Sequence, residues 1–232
     1  MPTALVTPLV APAISLRAIA PVLILSVTAL LLLVVDLLPP RDRKEHLGVI
    51  GLVGVVASLV VSLLYWGADE RSFRGMVVLD GFAIFFNLVI GFSVGLVLLL
   101  SLDYVRRQGV ESGEFYILVL LSAIGMTLMA SAGDLIMVFL GLETMSLALY
   151  VLAGTFKSRI ESAEASMKYF LLGAFASGFF LYGIALIFGA AGSTNLDRIG
   201  LALASGAGGD PLLLVGFGLL VVGFGFQVSL VA

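Results

Sequence analysis

Long runs of residues without a charged side chain restrict the possible folds of this chain more than any other feature of its sequence. Six runs contain no acidic or basic residue, and a seventh, 135–156, contains only Glu143. The six are 18–35, 47–68, 81–102, 115–133, 169–196 and 211–232. Each is close to the roughly 20 residues that a helix needs to cross a hydrocarbon core about 30 Å thick. The sequence therefore predicts seven membrane spans.

The predicted fold class is an all-α, polytopic transmembrane helix bundle. A transmembrane barrel needs strands of about ten residues in which apolar and polar side chains alternate, whereas runs such as "VLILSVTALLLLVV" are continuously apolar. With 61% hydrophobic and 12% charged residues, the composition also excludes an ordinary soluble domain. The first run ends in "DLLPPRDRK" without a small-residue cleavage site, so we interpret it as a retained helix and not as a signal peptide.

Capping patterns predict several helix starts independently of hydropathy. Asp134 is expected to cap the fifth helix, and Asp210, which precedes a proline, is expected to cap the seventh. Ser158 and Glu161 form a capping box. This box predicts that the sixth helix begins near Arg159, several residues before its apolar run.

The positive charges of the loops indicate the orientation. If the N-terminus lies outside, the inner loops carry seven basic residues and the outer segments carry four. The inner residues are Arg41, Arg43, Lys44, Arg106, Arg107, Lys157 and Arg159, and the outer ones are Arg17, Arg71, Arg74 and Arg198. We therefore expect the N-terminus outside. The outer connection 190–210, which is rich in small residues, is expected to be a loop with one short amphipathic turn.

The sequence offers no group for covalent or redox chemistry. It contains no cysteine, which excludes disulfides, thiolate-bound metals and cysteine-bound iron–sulfur clusters. The single histidine, His46, falls in a charged loop, where solvation is its expected role. Nucleotide-binding loops, metal-ligand clusters and nucleophile–base pairs are likewise missing from the sequence. Any catalysis by this chain would therefore consist of moving something across the membrane.

Glu143 is the strongest functional signal, because an ionisable group near the bilayer centre costs at least ~2.5–3.5 kcal/mol on insertion scales. Ser146 and Tyr150 follow at helical spacings, so the three side chains form a polar stripe that can hold water. The alternative is a protonated glutamic acid that serves only packing. We favour a functional carboxyl group.

Lys168 allows two interpretations. Glu164 lies one turn before it, in the favourable order for an ion pair near the inner interface. A buried lysine exchanges protons readily, so Lys168 could instead lie on a proton path between the inner side and Glu143. A direct salt bridge between Lys168 and Glu143 is not expected, because Glu143 is about 20 Å from the inner end of its own helix.

The remaining polar residues of the spans have ordinary expected roles. Four acids fall at helix ends, where capping or solvation accounts for them: Asp36, Asp80, Asp103 and Asp134. Asn87 and Gln227 lie inside spans, and hydrogen bonding between helices is the expectation for both.

Three stretches of the second half carry a family resemblance. They are "SAGDLIMVFLGLETMSLALYVLAGT", "ESAEASMKYFLLGAFASGFFLYGIALIFGAAGSTNL" and "GFGFQVSLV". They resemble subunit N of the proton-pumping NADH–quinone oxidoreductase, respiratory complex I, most specifically from about Gly113 to Leu230. This subunit belongs to the antiporter-like membrane subunits, which are related to multisubunit cation/proton antiporters.

The resemblance implies a fold of about fourteen helices with two inverted five-helix repeats, of which this chain is the N-terminal half. Residues 1–112 would hold helices one to three, and residues 113–232 would hold helices four to seven of the incomplete first repeat. Glu143 matches the glutamate of the family's proton path, and Lys168 matches its sixth-helix lysine. The glutamate would tune the proton affinity of a neighbouring lysine.

The chain departs from the family at its C-terminal end. The family pattern Gly-Phe-Lys-(Val/Leu)-Ser-Leu-Val-Pro-Phe-His has its central proton-carrying lysine where this chain has Gln227, and an amide cannot titrate. Where the family pattern continues with Pro-Phe-His, this chain has Ala232 and ends inside an apolar run. We interpret the end as that of a fragment.

The resemblance further implies a membrane-arm subunit of NADH–quinone oxidoreductase that takes part in proton translocation coupled to quinone reduction. Other membrane subunits of complex I, especially neighbouring antiporter-like and small ones, would be its partners. NADH, FMN, the iron–sulfur clusters and quinone would be bound by partners, and the location would be the bacterial inner membrane. A subunit of a cation/proton antiporter and a non-conducting membrane scaffold are the alternatives.

Overall fold

Eight α-helices, two short 3-10 helices and one β-hairpin form the regular structure of the described part of the chain. A computed structural model describes residues 14–38, 45–108, 112–156 and 159–227. The helices are α1 Leu16–Leu37, α2 Glu45–Leu64, α3 Gly81–Gln108, α4 Ser112–Ala130, α5 Leu135–Ala153, α6 Ile160–Ala191, α7 Leu196–Ala204 and α8 Pro211–Gln227. The strands β1 Glu70–Ser72 and β2 Val77–Leu79 pair antiparallel between α2 and α3.

The helix bundle predicted from the hydropathy of the sequence is confirmed. Helices α1 to α6 are each long and apolar enough to cross a membrane, and α8 is a 17-residue apolar helix over its described length. Helix α6 begins at Ile160 with Arg159 at its N-cap, as predicted, although Ser158 of the expected capping box lies outside the described residues. Helix α2 ends four residues before the predicted bound because a turn follows, with Gly67 at a φ of 83°.

Two predictions about the connections need correction. The segment 190–210 contains the nine-residue helix α7, which is longer than a single turn and buries Ile199. The hairpin between α2 and α3 was not predicted, so the fold is helical with one small sheet added. Strands of three residues are too short to leave a periodic pattern in the sequence.

The bundle has two main apolar clusters. The first joins α1 to α4 through fully buried side chains that include Leu32, Val55, Leu98 and Leu120. The second joins α5, α6, α7 and α8 and is centred on Phe180. Burial of each such side chain is worth about 1.5–3 kcal/mol relative to water, although in lipid the packing contacts themselves hold the helices together.

Close glycine contacts join the helices within and between these clusters. A Cβ on Gly125 of α4 would lie 2.5 Å from the carbonyl oxygen of Gly141 in α5, and Gly183 of α6 has a similar relation to Gly216 of α8. Such pairs of small residues let helix backbones approach closely in a membrane. Glycine at these positions therefore fixes α5 and α8 against their neighbours.

Three connections are tied together on one side of the bundle, which we call the hairpin side. The hairpin bonds to the α4–α5 connection, since the Val78 N–H donates to Ser131 and the Gly133 N–H donates to Met76. The α4–α5 and α6–α7 connections are joined because the Leu135 N–H donates to the Thr194 carbonyl at 2.9 Å. This network holds the first turn of α5 against the end of α6.

Candidate proton-transfer site

The N-cap of α5 sets the position of the candidate site. Asp134 has an extended backbone, and its Oδ1 accepts a hydrogen bond of 2.9 Å from the Ile136 N–H. Its Oδ2 accepts from the Thr194 hydroxyl, also at 2.9 Å. The predicted cap is therefore confirmed, and it also links α5 to the end of α6. Glu143 follows nine residues later, about 13 Å along the helix axis.

Glu143 faces α6 and is half-buried. Its Oε1 accepts a short hydrogen bond from the Ser177 hydroxyl. A hydroxyl group can both donate and accept a hydrogen bond, so Ser177 can contact either protonation state of the carboxyl group. Sequence reasoning missed Ser177, whose only signal is that it is a polar residue inside a long apolar run.

Ser146 and Gln227 form the second polar contact of the site. Ser146 is 0% exposed, and its Oγ accepts a hydrogen bond of 2.8 Å from the side-chain amide of Gln227 in α8. The expected hydrogen bond between helices is thus confirmed for Gln227. Asn87 is also buried, but neither end of its amide has a partner among the described residues.

Tyr150 extends the polar stripe by one more turn. It is 4% exposed, and its ring packs edge-on against Tyr169 of α6 with the ring centroids 4.6 Å apart. A Cβ on Gly173 would overlap the Tyr150 hydroxyl, so the glycine makes room for it. In the part of the chain that the structure describes, this buried hydroxyl makes no hydrogen bond of good geometry, although Ser146 and Gln227 lie beside it. A buried hydroxyl group without a well-formed hydrogen bond is typical of a site that a water molecule completes.

Lys168 does not lie beside Glu143. Its side chain is 70% exposed, and its Nζ lies 2.5 Å from the Glu164 Oε1, in the i,i+4 pair indicated by the sequence. Ser177, the α6 partner of Glu143, is nine residues further along the same helix, about 13 Å away. Tyr169 and Tyr150 lie between these two levels. The structure therefore brings together Glu143 and Ser177, and separately Ser146 and Gln227, and leaves Lys168 at the surface of the chain.

No metal site accompanies these residues. Across residues 14–38, 45–108, 112–156 and 159–227, no three His, Cys, Asp or Glu side chains are grouped so that they could hold an ion. The site is a set of hydroxyl, amide and carboxyl groups between apolar helices. Such groups can pass protons and order water, and Glu143 supplies the one carboxyl group among them.

The second half of the chain matches a known family. Residues 132–232 match the transmembrane family described as NADH:quinone oxidoreductase/Mrp antiporter. The helix bundle is that of an integral membrane protein, and its second half is similar to this family.

Individual known proteins are similar to almost the whole of this chain. NADH-quinone oxidoreductase subunit N of Trichlorobacter lovleyi is 44% identical over 217 residues, which cover 93% of this chain and 45% of that protein. A chain of respiratory complex I from Thermus thermophilus is 37% identical, with a TM-score of 0.73 over 90% of this chain and 44% of that one. A chain of the archaeal membrane-bound sulfane sulfur reductase has a TM-score of 0.78 at 25% identity and covers 91% of this chain and 44% of its own length.

Over almost its whole length the chain is therefore similar to subunit N of NADH–quinone oxidoreductases. It spans about half the length of the curated relatives that it matches.

Proposed function

We propose that this chain is part of a membrane-arm subunit of an NADH–quinone oxidoreductase and takes part in proton translocation coupled to quinone reduction. The observation that carries the proposal is Glu143, a half-buried carboxyl group midway along a membrane-spanning helix and hydrogen-bonded to Ser177 of the next span. An ionisable group in this position is costly, and function is the usual reason for its presence. Similarity to subunit N supports the choice of enzyme.

In this proposal the Glu143 carboxyl group binds and releases the proton. The Ser177 hydroxyl donates to the carboxylate and can rotate to accept from the carboxylic acid. The buried Tyr150 hydroxyl and the contact between Ser146 and Gln227 would order water along the same face of α5. Protons would then move along this hydrated stripe, with Glu143 as its titrating member.

Lys168 would serve as the step between the inner side and this stripe. It lies beside Glu164 on the surface of the chain, and Tyr169, the next residue, contacts Tyr150. Gln227, which contacts Ser146, occupies the position where the resemblance to subunit N implies a lysine, and its amide cannot store a proton. A complete path would therefore need Gln227→Lys together with the remaining half of the protein.

The membrane setting and the partners belong to the same proposal. NADH, FMN, the iron–sulfur clusters and quinone would be bound by partner subunits, and neighbouring antiporter-like and small membrane subunits would cover this chain. The hairpin side would face outward in a bacterial inner membrane, with the N-terminus on the same side, because the loops there carry fewer basic residues. Since the chain has no cysteine, single cysteines introduced at Arg198 and Arg107 would report these two sides by labelling of intact cells.

The test replaces Glu143 in the assembled oxidoreductase. Glu143→Gln keeps the size of the side chain and removes the titration, so proton pumping linked to quinone reduction should fall, and Glu143→Asp should be milder. Glu161→Gln is the matched control, because it makes the same chemical change in the exposed first turn of α6. Full pumping by a correctly assembled Glu143→Gln enzyme would reject the role of Glu143.

Two alternatives have specific support. The matched family also includes Mrp antiporters, so a cation/proton antiporter subunit would produce sodium-dependent flux without quinone. A non-conducting scaffold is favoured by the contact between Gln227 and Ser146, which holds α8 against α5 without a titratable group. Proton flux in proteoliposomes separates them: the scaffold predicts none, with or without sodium, even after Gln227→Lys in the full-length protein.

A further inference from the structure

A cavity of about 640 Å³ opens on the hairpin side, away from the proton-transfer site. It lies between the turn that joins the two strands, the start of α5 and the start of α7. Its polar lining consists of Arg71, Arg74, Asp134, Ser193, Asn195 and Arg198. The cavity thus has three guanidinium groups and a single carboxyl group on its walls.

The hydrogen-bond acceptors of this cavity are occupied within the protein. Both oxygens of Asp134 accept hydrogen bonds, from the Ile136 N–H and the Thr194 hydroxyl. The Asn195 Oδ1 accepts from the Arg198 N–H at 3.2 Å. The Ser193 Oγ accepts from the Asn195 N–H, also at 3.2 Å. These side-chain oxygens thus already face donors of the protein itself, and the guanidinium groups of the lining outnumber its one carboxyl group.

Hydrogen-bond donors remain available in the same cavity. The Arg198 guanidinium group is exposed and has neither an ion pair nor a hydrogen bond with the residues that the structure describes. The Ser193 hydroxyl proton is not used in any bond to the described part of the chain. Arg71 is held 2.5 Å from Asp197, outside the lining, and this hydrogen bond raises the pKa of Arg71 above its ordinary value. The lining therefore offers positive charge and free donors, which suits an anion.

The turn that carries Arg74 is held in an unusual backbone conformation. Phe73 and Arg74 have φ angles of 52° and 58°, although both have side chains, and Gly75 follows at 85°. A bulky residue in the left-handed region costs about 1–3 kcal/mol, and such strain is concentrated at binding sites. The strained turn places Phe73 and Arg74 together on the cavity wall.

The position of α7 relates the cavity to the membrane surface. This amphipathic helix buries Ile199, while Leu196 and Leu201 are exposed beside Arg198. Amphipathic helices of this kind lie at the boundary between head groups and acyl chains. The exposed leucines would contact acyl chains, and Arg198 would lie at the level of the phosphate groups.

We propose that this cavity binds the phosphate group of an anionic phospholipid, with Arg198 as the principal contact, Ser193 as a further donor and Arg74 as additional positive charge. The planar fork of a guanidinium group matches phosphate oxygens in a bidentate way. Binding of this kind would hold the hairpin, the start of α5 and α7 to the membrane surface. The site is independent of the proton path, because it rests on different residues on the hairpin side.

The test uses membranes that contain the chain assembled with its partner subunits. A phosphatidylglycerol analogue with a photoreactive head group should label this chain, and Arg198→Ala should weaken the labelling about tenfold, as expected for the loss of one charge-assisted contact. Arg74→Ala should weaken the labelling less, because it removes positive charge from the lining but not the principal contact. Arg198→Lys keeps the charge but loses the fork, so labelling should be intermediate, and it serves as the second variant if the alanine change impairs assembly.

Arg17→Ala is the matched control, because Arg17 lies on the same side but outside the lining and pairs with Glu70 at 3.4 Å. Its labelling should equal that of the unchanged chain. Equal labelling of the Arg198, Arg74 and Arg17 variants would overturn the proposal, and so would equal labelling by a phosphatidylcholine analogue. Competition by inorganic phosphate as effective as that by phosphatidylglycerol would show that a free ion, and not a lipid, is the ligand. If an acidic segment of a partner subunit abolishes the labelling and added phosphatidylglycerol does not, the ligand of the cavity is a protein segment and not a lipid.

Discussion

Replacement of Asp134 by alanine is expected to destabilise the chain much more than replacement of Asp210, although both residues are aspartate N-caps. Asp134 is 5% exposed and accepts two hydrogen bonds, from the Ile136 N–H and the Thr194 hydroxyl. Asp210 is less buried, and its carboxylate caps α8 through the Leu212 N–H at 2.8 Å. The comparison therefore isolates burial and the link to Thr194.

The magnitude follows from these contacts. Loss of an N-cap costs about 1 kcal/mol, and loss of a further hydrogen bond that leaves a buried donor costs about 1–2 kcal/mol. We expect Asp134→Ala to lower the free energy of unfolding by about 2–3 kcal/mol and Asp210→Ala by about 1 kcal/mol. The Thr194→Val change deletes the hydrogen bond between Thr194 and Asp134 from the other side. Thr194→Val alone should therefore lower the free energy of unfolding by about half of the difference between the two aspartate variants.

The assay is unfolding of the chain in mixed micelles by a denaturing detergent, followed by the fluorescence of Trp66, the only tryptophan. A double-mutant cycle of Asp134→Ala and Thr194→Val should give a coupling energy of about 1 kcal/mol. Equal destabilisation by the two aspartate changes, or additive effects in the cycle, would refute the reasoning that this cap ties α5 to the end of α6.

Two further predictions concern α6. Gly173→Ala should destabilise the chain by about 1–3 kcal/mol in the same unfolding assay, because the new Cβ would overlap the Tyr150 hydroxyl. Gly178→Ala is the control, since no atom lies within 4 Å of its Cβ. Equal losses of stability in the two variants would contradict the close contact. Lys168→Gln should change the free energy of unfolding by less than about 1 kcal/mol, because the ion pair of Lys168 with Glu164 is exposed. The same change should lower proton flux through the assembled enzyme. Unchanged flux would show that Lys168 is not part of the proton path.

The sequence predicted the helices well because hydropathy and caps report on local structure. Asp134 marks the start of α5, and the pattern around Glu161 placed the start of α6 nine residues before its apolar run. The hairpin and α7 were missed or shortened because short elements depend on contacts with distant segments. Val77, for example, pairs with Ala132, which is 55 positions later in the chain.

The candidate site was only partly predictable for the same reason. Glu143, Ser146 and Tyr150 lie on one helix, so their common face follows from helical periodicity. Ser177 and Gln227 come from other helices, and their contacts depend on how α6 and α8 are rotated and packed. The periodicity of a single helix does not indicate how the neighbouring helices are rotated about their axes. In the structure, the contact between Gly183 and Gly216 fixes the rotation of α6 against α8.

Infrared difference spectroscopy of the assembled enzyme tests the role of Glu143 most directly. If its carboxyl group exchanges a proton during turnover, the spectrum between resting and reduced enzyme should contain a protonated-carboxyl band that is absent in Glu143→Gln and present in Glu161→Gln. Ser177→Ala should shift this band, because the carboxyl group loses its hydrogen bond with Ser177. A band that survives in Glu143→Gln, or that does not respond to Ser177→Ala, would contradict the assignment of Glu143 as the proton-binding group.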